Sequence, residues 1–254
     1  MKRLFFLLQL IALLLACSSK KADNKKTPEP KTISLIPRIS VPYTSSPPVI
    51  DGKIDTKEWF QAKETSFRAP LDGGPPSFPA RAFWFWDTSY LYLAFVVTDS
   101  KILSPHTTHD ARLWEHDAIE LQIDPSGTGK NYFEIQVAPN GHVFDTKFLS
   151  PRNPQPFGLR NWDSNVVASA VMHGKANDDV KDTGYTVELA LPWQSILEKA
   201  PITKDDIKNM PWRANIYVMN RLNPKQQTAV AWSALHIGDF HTPARYGFVK
   251  FVDK

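Results

Sequence analysis

Residues 79–100 read PARAFWFWDTSYLYLAFVVTDS. Two runs of aromatic and β-branched residues, 83–86 and 90–97, flank Asp87, Thr88 and Ser89, which are turn formers. This is the pattern of a β-hairpin. In the second run both parities are apolar, with Tyr90, Tyr92 and Val96 on one side and Leu91, Leu93, Phe95 and Val97 on the other. A strand with two apolar faces is covered on both, which fits the middle of a sandwich.

Working outward, alternation recurs along the chain. In RLWEHDAIELQIDP (112–125), Ile119, Leu121 and Ile123 share one parity, while Glu120 and Gln122 share the other. DPSGTGK (124–130) is a turn signal, and NYFEIQVAP (131–139) returns with Phe133, Ile135 and Val137 in phase. Asn140-Gly141 then leads into a partner strand, 142–149. Further strands are expected at 165–172, 184–192, 212–220, 228–233 and 246–252. One short helix is expected at 193–200, where Pro192 suits the first turn and Trp193, Ile196 and Leu197 fall on one face. There is no βαβ alternation. The expected fold is all-β, an antiparallel sandwich of jelly-roll type with roughly ten strands.

Composition agrees with one large core: hydrophobic residues are 42% of 254, aromatics are 12%, and 21 prolines favour short elements joined by loops. The net charge of +4 comes from the N-terminus. Residues 1–31 hold seven Lys/Arg and two acids, leaving 23 basic and 24 acidic residues in 32–254. That balance gives no basic surface for nucleic acid.

The first residues, MKRLFFLLQLIALLLACSSK, have a basic start and an apolar stretch too short to span a bilayer comfortably, the build of a secretory signal. The LLLAC segment resembles the lipobox of bacterial lipoproteins. The resemblance implies a signal peptide at 1–16, with cleavage before Cys17 and lipidation there. Cys17 is the only cysteine. Ser18 after it, by resemblance to the sorting rule of Gram-negative lipoproteins, implies the outer membrane. Residues 17–46, rich in Lys, Ser and Pro, are expected to be a flexible tether, and 47–254 the folded domain.

Six stretches follow one another in order: PPVIDGKIDTKEW (47–59), WDTSYLYLAF (86–95), LWEHDAIELQIDP (113–125), YFEIQVAPNG (132–141), DTGYTVELALPW (182–193) and HTPARYGFVKF (241–251). Together they resemble the family 9 carbohydrate-binding modules and their stand-alone relatives. That implies a sandwich related to the DOMON domains, which binds sugar units at glycan ends between two tryptophans and can hold structural calcium. Carried onto this chain, the resemblance makes Trp114 one wall, Trp232 of AVAWSAL the other, and Glu120 an acceptor for sugar hydroxyls. Glu134 stands where the family has an arginine.

These residue types suit that chemistry. A pyranose presents flat C–H faces that pack on indole, while its hydroxyls need placed polar partners. The other tryptophans, 59, 84, 86, 193 and 212, are expected in the core or at the rim, and Trp162 is a candidate rim contact. Asp117 and Glu120, three apart on a strand, point to opposite faces and do not make a hydrolytic pair. Glu120 with Glu134, on neighbouring strands, keeps a glycoside hydrolase in view. His106, His109, Asp110 and His116 have zinc-type side chains without a rigid spacing, and read as a polar loop at the pocket rim. Asp124 is a weak calcium candidate. A haem b-binding electron-transfer domain of the DOMON class is the rival, with Met172, His173, Met210 and Met219 as its candidate ligands. The expected function is a lipid-anchored, non-catalytic carbohydrate-binding protein of the cell envelope. Its expected partners are a glycan or oligosaccharide, the membrane through Cys17, and glycan-degrading enzymes.

Overall fold

The computed structural model describes residues 35–198, 201–223 and 225–253; the signal segment and Cys17 lie outside them. The described strands are β1 (Arg38–Pro42), β2 (Lys63–Ser66), β3 (Ala80–Trp86), β4 (Tyr90–Val97), β5 (Ala118–Asp124), β6 (Tyr132–Val137), β7 (Val143–Phe148), β8 (Val167–His173), β9 (Gly184–Pro192), β10 (Arg213–Asn223), β11 (Gln226–Ala231) and β12 (Gly247–Val252). Two short helices, α1 (Trp193–Leu197) and α2 (Lys204–Lys208), lie between β9 and β10. No helix of the described residues is long and apolar enough to cross a membrane.

The strands form two facing sheets, a β-sandwich. The smaller runs β2-β3-β4-β9-β8. The larger runs β1-β12-β10-β5-β6-β7, with β11 also paired to β10. The 79–100 hairpin forms as β3 and β4, with β4 at the centre of the smaller sheet. Asp87 closes its turn: Oδ1 accepts from the amides of Ser89 and Tyr90, and Oδ2 from the Tyr92 hydroxyl at 2.7 Å.

Period-2 alternation builds the core. Leu91, Leu93, Phe95 and Val97 of β4 join Val187, Leu189 and Leu191 of β9 on the inner face of the smaller sheet. Against them lie Ile119, Leu121 and Ile123 of β5, Phe133, Ile135 and Val137 of β6, and Ile216 and Val218 of β10. Each such side chain contributes about 1.5–3 kcal/mol by leaving water. Trp86, Trp193, Trp212 and Phe251 meet ring to ring at 5.1–5.7 Å within the same core.

Three features depart from expectation. Within the stretch read as tether, residues 38–42 form β1, which adds to β12 as a parallel edge strand, and Tyr43 packs edge-on against Trp86. The larger sheet is therefore mixed. β2, with three of its four residues exposed, carries no apolar pattern and was not expected. Two short helices stand where one was expected, and the second starts with a capping box between Thr203 and Asp206.

The central strands of both sheets are covered on their outer faces as well. On the smaller sheet, Glu188 of β9 is fully buried. It accepts from the amides of Asp51 and Gly52 and from the indole N–H of Trp59 at 2.7 Å. Gly52 sits at φ 84°, and a Cβ there would lie 2.9 Å from the Ala170 backbone, so the VIDG turn needs glycine. On the larger sheet every residue of β5 and β6 is buried.

Candidate functional site

Strand register sets the site. On the outer face of the larger sheet, Tyr217, Glu120, Gln136 and Phe144 form one cross-strand row. Asn215, Gln122, Glu134 and Thr146 form the next. The polar parity of β5 and β6, opposite the core residues, thus becomes one polar floor.

A cavity of about 390 Å³ opens above this floor, within the range of small-molecule pockets. Trp114, Phe144, Phe157 and Phe240 line it, together with Glu120, Glu134, Gln136, Arg152 and His241. Trp114 sits in a single 3₁₀ turn just before β5, half-buried. Its ring meets Phe144 edge-on at 5.0 Å and Phe157 at 4.9 Å. The side-chain amide of Gln227, on β11, donates to the Trp114 carbonyl at 2.6 Å and holds that turn. Phe240 stacks on Tyr217 at 4.3 Å, with the planes 7° apart.

The floor is one hydrogen-bonded network. Tyr246 donates its hydroxyl to Gln122 Oε1, and Gln122 Nε2 donates to Glu120 Oε1. Gln136 Nε2 donates to Glu120 Oε2 at 3.0 Å and to Glu134 Oε1 at 2.6 Å. These donors fix the amide orientation of Gln136 and leave its Oε1 buried without a partner among the described residues. A buried acceptor with no donor costs about 1–3 kcal/mol.

Burial pushes the Glu120 carboxyl well above the usual range, and the neighbouring Glu134 charge adds to this. Burial raises Glu134 too, against the pull of Gln136 and Arg152. The His241 imidazole is pushed down to about 4, by burial first and then by Arg152. Its ring is therefore neutral near pH 7, and its 3.5 Å approach to Glu134 is not an ion pair there. Tyr132 bonds the ring at Nδ1, at 2.7 Å. Arg152 forks onto Asp239, its Nη2 at 2.7 Å from Oδ1. A guanidinium thus reaches the cavity from a loop, although the strand position where the resemblance places an arginine holds Glu134.

Three of the four residues singled out for sugar contact, Trp114, Glu120 and Glu134, lie together on this cavity. Trp232 does not. It is 5% exposed, belongs to the core between the sheets, and lies 6.0 Å from Trp84. A Cβ on Gly247 would come within 2.4 Å of its ring, so β12 closes directly over it. The aromatic that the late part of the chain does supply is Phe240. Trp162 also points away, packing on Phe133 at 4.7 Å.

Asp117 faces away from Glu120, as the strand period requires. It accepts from the amides of Leu103 and Arg221 and pins the base of the Trp114 loop. Asp124, the calcium candidate, is engaged by its own turn: Oδ1 accepts from Ser126 N, Ser126 Oγ and Gly127 N, and Oδ2 from Gly129 N. Of the haem candidates, Met172 and Met210 pack against the core, while Met219 lines the cavity. His173 follows Met172 on the edge strand β8, so the two point to opposite faces.

The same site can be set against known proteins. A model of the family described as carbohydrate family 9 binding domain-like matches residues 50–254. The chain belongs to this family. Over 149 residues, 59% of its length, this family 9-like chain is 30% identical to the exoglucanase XynX of Acetivibrio thermocellus. It is also 30% identical, over 149 residues, to the endo-1,4-beta-xylanase A of Thermoanaerobacterium saccharolyticum. The match spans only 12% and 11% of those two proteins. Among solved structures, a family 9 carbohydrate-binding module from Caldicellulosiruptor kristjanssonii in complex with cellotriose superposes with a TM-score of 0.58 at 18% identity, over 85% of this chain and 94% of that one. A Bacteroides uniformis protein superposes at 0.68 and 14% identity, over 86% of this chain and 100% of that one. These likenesses establish the fold.

Proposed function

We propose that the chain is a non-catalytic carbohydrate-binding protein that takes a sugar unit into the Trp114 cavity. The single observation carrying this is Gln136 Oε1, a buried acceptor without a donor at the floor of an aromatic-walled pocket. A sugar presents both halves of what that surface lacks: hydroxyl donors for the floor and C–H faces for the rings of Trp114 and Phe240. The Caldicellulosiruptor modules of the same fold, described in complex with cellotriose and with glucose, support a glucan as the first ligand to try.

The floor carboxylates favour holding over hydrolysis. A hydrolytic pair flanks the scissile bond from two sides. Glu120 and Glu134 instead lie side by side on neighbouring strands, bridged by one amide nitrogen. In this reading lipidated Cys17 tethers the domain to the bacterial envelope, in the outer membrane, beside glycan-degrading enzymes.

The test is calorimetric titration with glucose, cellotriose and a panel of other oligosaccharides, with Trp114→Ala alongside. Binding by the wild type, weakened about tenfold or more in a Trp114→Ala variant of unchanged circular dichroism, is the expected result. A well-folded wild type that binds none of them overturns it. Sugar release that Glu120→Gln abolishes without weakening binding would make the chain a hydrolase. A Soret band on addition of haem would favour the electron-transfer rival.

A further inference from the structure

We propose that His109, Asp110 and Asp145 form a binding site for a zinc-class divalent cation, which fastens the Trp114 loop to the edge strand β7. One ligand atom from each residue lies within 4.8 Å of the other two. Sequence alone left His109 and Asp110 as part of a polar loop. The fold brings them to Asp145, 35 residues further along the chain from Asp110 and on the inner parity of β7, next to the pocket residue Phe144.

The independent observation is at Asp145. It is 1% exposed, and its Oδ2 accepts from the Ser164 hydroxyl at 2.6 Å and from the Ser164 amide at 3.2 Å. Its Oδ1 is buried with no partner among the described residues. A half-satisfied buried carboxylate is costly, and the usual remedies are a proton, a donor or a metal. The other two ligands stand ready. His109 Nε2 lies 3.6 Å from Asp110 Oδ1. Asp110 is held at φ 59° by its amide on the Val143 carbonyl and by Arg160 Nη2 on its own carbonyl.

The donor set selects the class of cation. One imidazole nitrogen and two carboxylate oxygens match zinc and its first-row neighbours, whereas calcium and magnesium favour oxygen throughout. His109 is on the exposed side, so water can complete the shell. The placement suggests a purpose. Asp110 lies four residues before Trp114, and Ser164 ends the loop that carries Phe157. One ion here would tie down two of the loops that furnish aromatic walls of the cavity, those of Trp114 and Phe157. The site itself does not depend on what the cavity binds.

The experiment is calorimetric titration of Zn²⁺ into chelator-treated full-length chain carrying Cys17→Ser, which removes the competing thiol. One equivalent should bind, with a rise in Tm, and Ca²⁺ or Mg²⁺ at the same concentration should not displace it. Asp145→Asn and His109→Ala should each weaken binding about tenfold or more. His109 is exposed, so its variant keeps the fold and the result stands even if Asp145→Asn does not fold. No Zn²⁺ binding, or binding that survives His109→Ala but is lost in His106→Ala or His116→Ala, overturns the proposal.

Discussion

Each sheet of the sandwich buries glutamate on its outer face beneath a tryptophan-bearing segment, and the two arrangements are finished in different ways. Under Trp59, Glu188 is enclosed: both oxygens accept, from two backbone amides and an indole N–H. Under Trp114, Glu120 and Glu134 receive side-chain amides from their own sheet, and the amide that bridges them keeps a bare Oε1. The Trp59 indole is buried with its N–H on the carboxylate, while the half-buried Trp114 ring stands over the polar floor. A buried carboxylate ringed by backbone donors is part of the fold. One held by its neighbours' amides, with an acceptor to spare, is a surface that a donor-rich ligand completes.

The harshest way to break this comparison is Glu188→Ala. It strips the acceptor from two buried donors, the Gly52 amide and the Trp59 indole N–H, each costing about 1–3 kcal/mol when left bare, and from the part-buried Asp51 amide. A loss of roughly 3 kcal/mol or more is expected, read from the urea midpoint, with glycan affinity of the folded fraction unchanged. A loss under about 1 kcal/mol would mean that water replaces the carboxylate, and that the two outer faces are alike after all.

A gentler pair of substitutions separates stability from binding. Trp59→Phe keeps an aromatic side chain of smaller size and deletes the indole donor, leaving Glu188 Oε1 unpaired. It should cost about 1–2 kcal/mol of stability and leave glycan Kd unmoved. Trp114→Phe should do the reverse. Stability should stay within about 0.5 kcal/mol. Affinity should fall roughly three- to tenfold, the share of about 0.5–1.5 kcal/mol that a smaller ring gives up. Equal effects from the two would erase the distinction between a structural and a ligand-facing tryptophan.

How much of this was legible follows from where each signal is stored. Core strands carry their own period, so the alternation of Ile119, Leu121 and Ile123 before the DPSGTGK turn, and the strand expected at 184–192, coincide with β5 and β9. β1 depends on β12, some 200 residues away, and its RISVP sequence lies in a Pro-rich stretch. Pairing that distant leaves no local trace. The floor was half legible: Glu134 and Gln136 occupy the parity opposite Phe133 and Ile135, and that pattern reads as a wet face. It is buried because loops cover it. Trp232 shows the complementary failure. Motif order suggested a site, yet order cannot say which face of a sheet an indole takes, and Phe240 arrives from an irregular loop with no period to read. The Asp145 cluster was hidden for the same reason, since its partners lie across a loop closure.

The finest test uses pH. Burial raises the folded-state pKa of Glu134 above its unfolded value of about 4.3. The folded chain therefore holds a proton that the unfolded chain has lost, and the stability this gives is present at low pH and falls as pH rises through the folded pKa. Glu134→Gln removes that titration while its carbonyl still accepts from Gln136. Near pH 4, below the unfolded value, the carboxyl is mostly protonated in both states, so the two proteins should differ little. Near pH 8 the variant should be the more stable, by roughly 1 kcal/mol, within the limit of about 1.4 kcal/mol per pH unit for one proton. Denaturant midpoints at the two pH values check it. Glu188→Gln is the contrast: whichever way the amide turns, an N–H faces a donor, the indole or the backbone amides, and it should destabilise at both. If Glu134→Gln also destabilised at both, the floor would be as closed as the Glu188 node, and Gln136 alone would be left to distinguish the two faces.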